Sequence, residues 1–360
     1  MSREEFYMLR CLQLASYGLG TTYPNPLGGA VVVHKDLIIG EGWHRKAGEP
    51  HAEVNAIDSV KNPDLLKDST LYVNLEPCSH FGRTPPCADR IIEKKIRKVV
   101  IGSLYFNDRV CGRGIEKLKS AGCEVVVGVL EEKCKELNKR FFTFHLKRRP
   151  YVLLKWAESF DGYISPERFE ELNLDELKNR EPYWISNNYS RSLVHKFRAE
   201  EQSILIGART ALMDNPKLDV RSYSGKDPLR ILIDRRLSIT KDANLYNGAV
   251  ETLVFCETLA DRKEYFPKVD FIKLSFGDQL EEQVLDELYK RGIQSVLVEG
   301  GGQILRGFIE KSLWDEAILF KGLSIFGKGT KAPQIAGELK LSFKIVEDEV
   351  SILQNQPGPI

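Results

Sequence analysis

The sequence has no apolar run approaching the length of a membrane-spanning helix, about 20 residues. Its N-terminus, MSREEFYMLRCLQLASYGLG, mixes acids and bases with apolar residues at helical spacing. Lacking a continuous apolar core, it reads as a first helix and not as a signal peptide. Charge of one sign is not in excess either. The 52 basic and 51 acidic residues leave +1, which argues against an extended nucleic-acid surface but leaves room for a local basic pocket. The seven cysteines, odd in number in a chain of 360 residues, fit a reducing, cytoplasmic setting better than a disulfide framework. No internal repeat is visible. What remains is an ordinary globular composition, 42% hydrophobic and 29% charged, long enough for two or three domains with their own cores.

Strand-like and helix-like segments alternate in the first 145 residues. GAVVVH (29–34) and LIIGEGW (37–43) read as a strand pair around a short turn, HAEVNAIDSVK as a helix, TLYVNLE as a strand and CADRIIEKK as a helix. KVVIGS, GIEKLKSAG and CEVVVGV form a strand–helix–strand unit, and LEEKCKELNKRFFTFH reads as one closing helix. This alternation implies an α/β layer domain with a mixed or largely parallel sheet. The basic, proline-terminated HLKRRP (145–150) then marks a boundary, giving domains 1–146 and 147–360. SILIG, LRILID, TLVFC, SVLVEGGG and EAILF read as strands of the second domain. The charged stretch PERFEELNLDELKNREP (166–182) reads as a surface insertion.

GEPHAEVNAI places His51 two residues before Glu53 at a helix start, and NLEPCSHFGRTPPCADRI adds Cys78 and Cys87, each preceded by proline. His51, Cys78 and Cys87 suit a zinc ion whose fourth position stays open to water, the arrangement of catalytic sites. Two thiolates cancel the ion's charge, and helix N-termini favour the thiolate form. Zinc lowers the pKa of a bound water from about 15.7 to about 7, and Glu53 is placed to carry that proton to a leaving amine. The alternative is that both cysteines are structural and His51 caps a helix. A four-ligand structural zinc is disfavoured, because no third cysteine lies nearby. Zinc deaminases carry H-x-E followed by P-C-x-x-C, whereas here eight residues separate the cysteines.

With that longer loop, TTYPNPLGGAVVV, GEGWHRKAGEPHAEVNAI and LEPCSHFGRTPPCADRII closely resemble the deaminase half of the bifunctional riboflavin-biosynthesis deaminase/reductase family. The resemblance implies zinc ligation by His51, Cys78 and Cys87, proton transfer by Glu53, and substrate contacts from Asn25, His44, His80 and Arg83. An asparagine offers a pyrimidine edge both a donor and an acceptor, and Arg83 with the histidines suits a ribose phosphate. Two departures stand out. Family members usually carry a valine near Gly28, and many read DPNP where this chain has YFND (Tyr105 to Asp108).

The second half carries LKWAESFDGYIS, YWISN, RSLVHKFRAEEQSILIGARTALMDNPKLDVR, PLRILIDRRL and VLVEGGGQIL, which match in order the family's reductase half. By itself, SVLVEGGGQILRGFIEK is a strand, a glycine turn and a helix start that could cradle a phosphate. It is not the G-x-G-x-x-G fingerprint. The resemblance implies a dihydrofolate-reductase-like fold that uses NADPH, held by Ala157, Trp184, Thr210, Asp214, Gly301, Gly302, Gln303 and Ile304. It implies substrate contacts from Lys155, Arg198, Leu218, Arg221 and Glu299, and Asp161 is a further polar candidate for the hydride-transfer site. Trp184 reads either as packing on the cofactor or as a core tryptophan. Pro182 stands where a substrate-contacting serine is frequent, and Arg235, where a smaller residue is common, is a candidate for the NADPH 2′-phosphate. The stretch from about Lys331 onward is featureless.

The expectation is a cytidine-deaminase-like α/β/α domain followed by a dihydrofolate-reductase-like domain, together a bifunctional enzyme. The first half would deaminate a diaminohydroxyphosphoribosylaminopyrimidine with Zn2+, and the second would reduce its ribosyl chain to ribityl with NADPH. The expected partner is this small pyrimidine ribotide, with no nucleic acid and no membrane, and the chain is expected to form a dimer or tetramer. A nucleic-acid base deaminase, or a family member with an inactive reductase domain, is the alternative.

Overall fold

The computed structural model describes residues 1–79, 81, 85–105, 112–167, 183–259 and 266–355. The insertion at 168–182, residues 106–108 of the altered loop, Pro182, His80 and Arg83 lie outside the described residues. The chain divides into two compact units, Met1–Arg148 and Arg149–Ile360.

The first unit runs α1 (Arg3–Ser16), β1 (Gly29–His34), β2 (Leu37–Trp43), α2 (Ala52–Asp58), β3 (Thr70–Leu75), α3 (Cys87–Glu93), β4 (Lys98–Ser103), α4 (Arg113–Ser120), β5 (Glu124–Val127), α5 (Glu131–Leu137) and α6 (Lys139–Lys147). The strands form one mixed sheet in the order β2-β1-β3-β4-β5. β1 is antiparallel to β2 and β3, while β3, β4 and β5 are parallel. Successive side chains of a strand point to opposite faces, and β1 is apolar at both. Val31 and Val33 pack with Tyr7, Met8 and Leu14 of α1, whereas Ala30 and Val32 pack with Ala52 and Ala56 of α2 and Ala88 of α3. The result is a helix–sheet–helix sandwich. Ser2 and Glu5 fix the start of α1 as a reciprocal capping box.

Close contact sets the position of α2. A Cβ on Gly42 would lie 2.6 Å from the backbone nitrogen of Ala56 and 2.6 Å from Cβ of Asn55. Asn55 Nδ2 donates to Trp43 O at 2.8 Å, tying the helix to the end of β2. The bare glycine surface thus decides where the first turn of α2, with His51 and Glu53, comes to rest.

The closing helix expected from LEEKCKELNKRFFTFH is two helices, α5 and α6, meeting at Asn138. The side chain of Asn138 is spent on the chain near the start of β1: Oδ1 accepts from Leu27 N at 2.8 Å and Nδ2 donates to Leu27 O at 3.0 Å. The expected boundary after residue 146 falls in the last turn of α6, which ends at Lys147.

The second unit runs β6 (Tyr151–Glu158), β7 (Tyr163–Pro166), α7 (Asn188–Glu200), β8 (Ser203–Gly207), α8 (Ala208–Asp214), β9 (Leu229–Ile233), β10 (Thr252–Cys256), β11 (Val269–Lys273), α9 (Leu280–Lys290), β12 (Ser295–Gly300), α10 (Gly302–Glu310), β13 (Glu316–Lys321), β14 (Gly329–Lys331), β15 (Glu338–Ile345) and β16 (Asp348–Gln354). Its main sheet has the order β11-β10-β9-β8-β12-β6-β13-β16-β15. It is parallel from β11 to β13 and antiparallel over β16 and β15. Both faces of the central strands are covered, as a parallel sheet requires: Val296 and Val298 of β12 enter one core and Leu297 the other. The featureless C-terminal stretch forms the outer hairpin β15–β16. In β15 Leu339, Leu341, Phe343 and Ile345 alternate with polar residues at strand period, although as an edge strand most of its positions are exposed. Arg149 and Asp315 join the starts of β6 and β13 through two bonds of 2.5 and 2.8 Å, and Asp315 also accepts from Val152 N. Among the described residues no helix is long and apolar enough to cross a membrane.

Gly42→Ala is expected to destabilise the first unit by about 1–3 kcal/mol, because the added methyl meets the backbone of Asn55 and Ala56 and the Cβ of Asn55, none of which can swing aside. A lowered urea midpoint at unchanged slope is the readout. An unchanged midpoint would contradict this account of how α2 is seated.

Candidate active sites

In the first unit, the chemistry-bearing residues stand at element ends. His51 is the N-cap of α2, Cys87 is the first residue of α3, and Cys78 follows the end of β3. Their donor atoms lie within 4.8 Å of one another. His51 Nδ1 is 3.6 Å from Cys78 Sγ and 3.4 Å from Cys87 Sγ. A four-coordinate zinc with Zn–S of about 2.3 Å and Zn–N of about 2.0 Å sets its ligands about 3.5 Å apart, so the three fit that ion, with Nδ1 as the histidine's ligand atom. The neighbouring Cys87, ahead of the opposing effect of burial, holds the Cys78 thiol below its ordinary value. The same contact, together with burial, pushes Cys87 up. Cys87 N–H also donates to Cys78 Sγ at 3.3 Å.

Glu53, in the first turn of α2, is 5% exposed. Burial pushes its carboxyl up to about 7, although the His51 ring opposes this. Glu53 borders a cavity of about 290 Å³ together with Asn25, His44, His51 and Cys78. His44 Nδ1 lies 3.2 Å from Pro50 O and Nε2 lies 3.0 Å from Asn25 Nδ2. A carbonyl only accepts, so Nδ1 carries the proton and Nε2 accepts from the asparagine. Burial lowers the pKa of His44, in keeping with this neutral ring. His44 therefore holds Asn25 in orientation, leaving the amide oxygen available to the cavity.

Sequence reasoning missed three supports of this site. Asn74, fully buried, accepts from Gly29 N at 2.7 Å and donates to Leu27 O at 3.0 Å. With Asn138 it fixes the segment that carries Asn25. Glu76 accepts from the backbone nitrogens of Tyr105 (3.3 Å), Gly112 (3.0 Å) and Gly114 (3.0 Å). Tyr105 lines the cavity, so Glu76 holds part of its wall. Only Glu76 had a signal, its place in LEPC directly upstream of Cys78.

In the second unit a cavity of about 1400 Å³ opens at the carboxyl ends of the parallel strands, where ligands bind in open α/β sheets. It is larger than the usual 300–1,000 Å³ of a small-molecule pocket. Lys155 and Ala157 reach it from one face of β6, Glu299 from the end of β12, and Thr210 and Asp214 from α8. Arg198 comes from α7, and Leu218 and Arg221 from the segment after α8. Gly301, Gly302, Gln303 and Ile304 border it at the start of α10. A Cβ on Gly301, where φ is +63°, would stand 3.3 Å from Thr210 Oγ1. That bare turn lets a ligand approach the backbone closely. Trp184 is no core residue: it is 54% exposed, borders the cavity and carries the Arg191 guanidinium 4.2 Å above its ring.

Arg198 and Glu299, expected as separate contacts, form a bidentate pair, Nε–Oε1 and Nη2–Oε2 both 2.7 Å. Burial by itself would raise the Glu299 carboxyl, but the guanidinium outweighs it and holds it at about 2. Burial lowers the Lys155 ammonium, with Glu299 opposing. Asp161 is not among the residues lining the cavity. Its carboxylate accepts from Ser159 Oγ, Phe326 N and Gly327 N, closing a surface turn. Arg235 borders the cavity and is engaged bidentately with Glu257.

Residues 1–103 match the family model of the cytidine and deoxycytidylate deaminase zinc-binding region, and residues 150–351 match that of the RibD C-terminal domain. Fold and sites define a bifunctional enzyme, a deaminase joined to a reductase. The riboflavin biosynthesis protein RibD of Aquifex aeolicus is 38% identical over 325 residues, covering 90% of this chain and 88% of that one. That of Escherichia coli is 33% identical over 344 residues, covering 91% and 90%. A crystal structure from Thermotoga maritima, described as a diaminohydroxyphosphoribosylaminopyrimidine deaminase/5-amino-6-(5-phosphoribosylamino)uracil reductase, superimposes with a TM-score of 0.86 at 37% identity, covering 98% of this chain and 99% of that one. The chain belongs to the RibD family of riboflavin biosynthesis enzymes. A nucleic-acid base deaminase is not favoured, since the likeness runs through both halves.

Glu299→Gln would leave Arg198 buried without its counter-charge, at a cost of about 3–5 kcal/mol at pH 7. The native carboxyl lies at about 2, below its ordinary 4.5. Its stabilisation is therefore complete above about 4.5 and is lost as the pH falls through about 2. Urea titrations of both proteins from pH 7 to 2 should show the gap narrowing over that window. A constant gap would exclude the ion pair as its origin.

Proposed function

We propose that the first unit hydrolyses an amino group from a diaminopyrimidinone carrying a phosphoribosylamino chain, and that the second reduces the ribosyl chain to ribityl with NADPH. The observation that carries this reading is the cluster of His51 Nδ1 and two sulfurs within 4.8 Å, bordered by the buried carboxyl of Glu53. The activities named for the Thermotoga maritima relative support the same substrate class.

Zinc held by His51, Cys78 and Cys87 would supply a Lewis acid that makes water acidic near neutral pH. Glu53 takes the proton of the attacking water and returns it to the departing ammonia, a role suited to a carboxyl held at about 7. Asn25, oriented by His44, meets the pyrimidine edge, and Tyr105 closes the wall. His80 and Arg83 belong to the phosphate end in this reading.

In the reductase, NADPH supplies the hydride. Ala157, Trp184, Thr210, Asp214 and the Gly301–Ile304 turn hold it, with Arg235 toward the 2′-phosphate. Arg198 and Arg221 meet the ribotide phosphate, Leu218 packs on the substrate, and Lys155 and Glu299 face the sugar. A dimer or tetramer belongs to this reading, supported by the edge strand β15, where Leu339 and Leu341 are 57% and 51% exposed. The seven cysteines support a cytoplasmic setting.

Incubating the zinc-loaded protein with the diaminopyrimidine ribotide should give the deaminated product without NADPH and the ribityl product with it, read by mass spectrometry. Glu53→Gln should lower deamination by about 10²–10⁴ while retaining zinc and still reducing the deaminated ribotide. Loss of zinc together with deamination would place Glu53 in metal binding instead.

A further inference from the structure

His195 has no role in the reading so far, yet it stands at the arginine end of the reductase cavity. It lies on α7, three residues before Arg198, and so shares that residue's face. It is 5% exposed and borders the cavity. Its Nδ1 lies 2.9 Å from the carbonyl oxygen of Asp219. That oxygen only accepts, so Nδ1 carries the hydrogen and the other ring nitrogen keeps its lone pair. Burial, then the charges of Arg198 and Arg221, oppose a second proton, against the weaker pull of the Asp219 carbonyl and Glu299. No group among the described residues bonds Nε2.

The neighbours make that lone pair distinctive. Arg198, Arg221 and Lys155 can only donate. Each oxygen of Glu299 already accepts a charged bond from Arg198, and the Asp219 carbonyl accepts from both His195 and Arg198. A phosphate at the arginines has no proton to offer Nε2, whereas an adjoining sugar hydroxyl has one. We propose that His195 contacts substrate, Nε2 accepting a hydrogen bond from the 2- or 3-hydroxyl of the phosphorylated sugar chain. This rests on the reading of the cleft as a ribotide reductase. It makes the site distinguish a phosphorylated chain that bears this hydroxyl from one that lacks it.

The test is His195→Asn in the full chain, since the asparagine amide keeps the Nδ1-type contact to Asp219 and removes only the Nε2 acceptor. With the deaminated ribotide KM should rise about tenfold with a smaller change in kcat. NADPH affinity, read by fluorescence quenching, should stay unchanged. Of the 2-deoxy and 3-deoxy sugar analogues, one should show no difference between wild type and variant. His195→Gln, whose amide oxygen reaches the Nε2 position, should recover most of the KM, and it decides the matter if the asparagine variant loses NADPH. A KM within about twofold of wild type for His195→Asn, an equal penalty on all three sugars, or no recovery with glutamine would overturn the inference. A wild-type protein that binds NADPH but leaves the ribotide unreduced would instead overturn the reading of the cleft, and the inference with it.

Discussion

A polar group carried into a closed cleft has to be met there by a partner, because an unmet one costs several kcal/mol. Both sites are organised by that demand. In the first unit it ties Asn25 to His44, the Leu27 backbone to Asn74 and Asn138, and the wall around Tyr105 to Glu76. In the second it joins Arg198 to Glu299 and turns the Asp219 carbonyl toward two side chains at once. Without these bonds the catalytic groups would still be present, but their directions would be set by solvent.

The two sites meet this demand with different scaffolds. The deaminase cluster is built on two helix starts, which carry His51 and Cys87, and on the segment after β3, which carries Cys78; α2 can approach the sheet because Gly42 has no side chain. The reductase cavity is built on strand ends. There each parallel strand delivers its last residues to a common rim, so groups from β6, β12, α7 and α8 meet although they are far apart in the chain. The first cavity is about 290 Å³ and the second about 1400 Å³, in line with the different spans of chain that build them.

Much of this was legible in advance. The strand runs of β1, β3, β4, β8, β10 and β12 are apolar on both faces, and the spacing of His51, Glu53, Cys78 and Cys87 announced a metal-type centre. The parts that were not legible share a physical cause. Asn138 splits an otherwise regular helical pattern because its side chain serves Leu27, 111 residues away. The hairpin β15–β16 is different, because Leu339, Leu341, Phe343 and Ile345 alternate at strand period and were legible in principle. Asp161, in a family-like SFDG, spends its carboxylate on the backbone of Phe326 and Gly327 instead of the cleft.

The sequence by itself determined the chemistry available: two soft sulfurs, an imidazole and a carboxyl, and a glycine turn between a strand and a helix. Those are matters of residue type and short spacing, which local backbone geometry converts directly into position. Which groups are free to act was decided only by the tertiary structure. Arg198 and Glu299 are 101 residues apart and neutralise each other, and His195 gives one nitrogen to Asp219 and keeps the other. A hydrogen bond depends on distance and direction through space, and no periodicity along the chain records either.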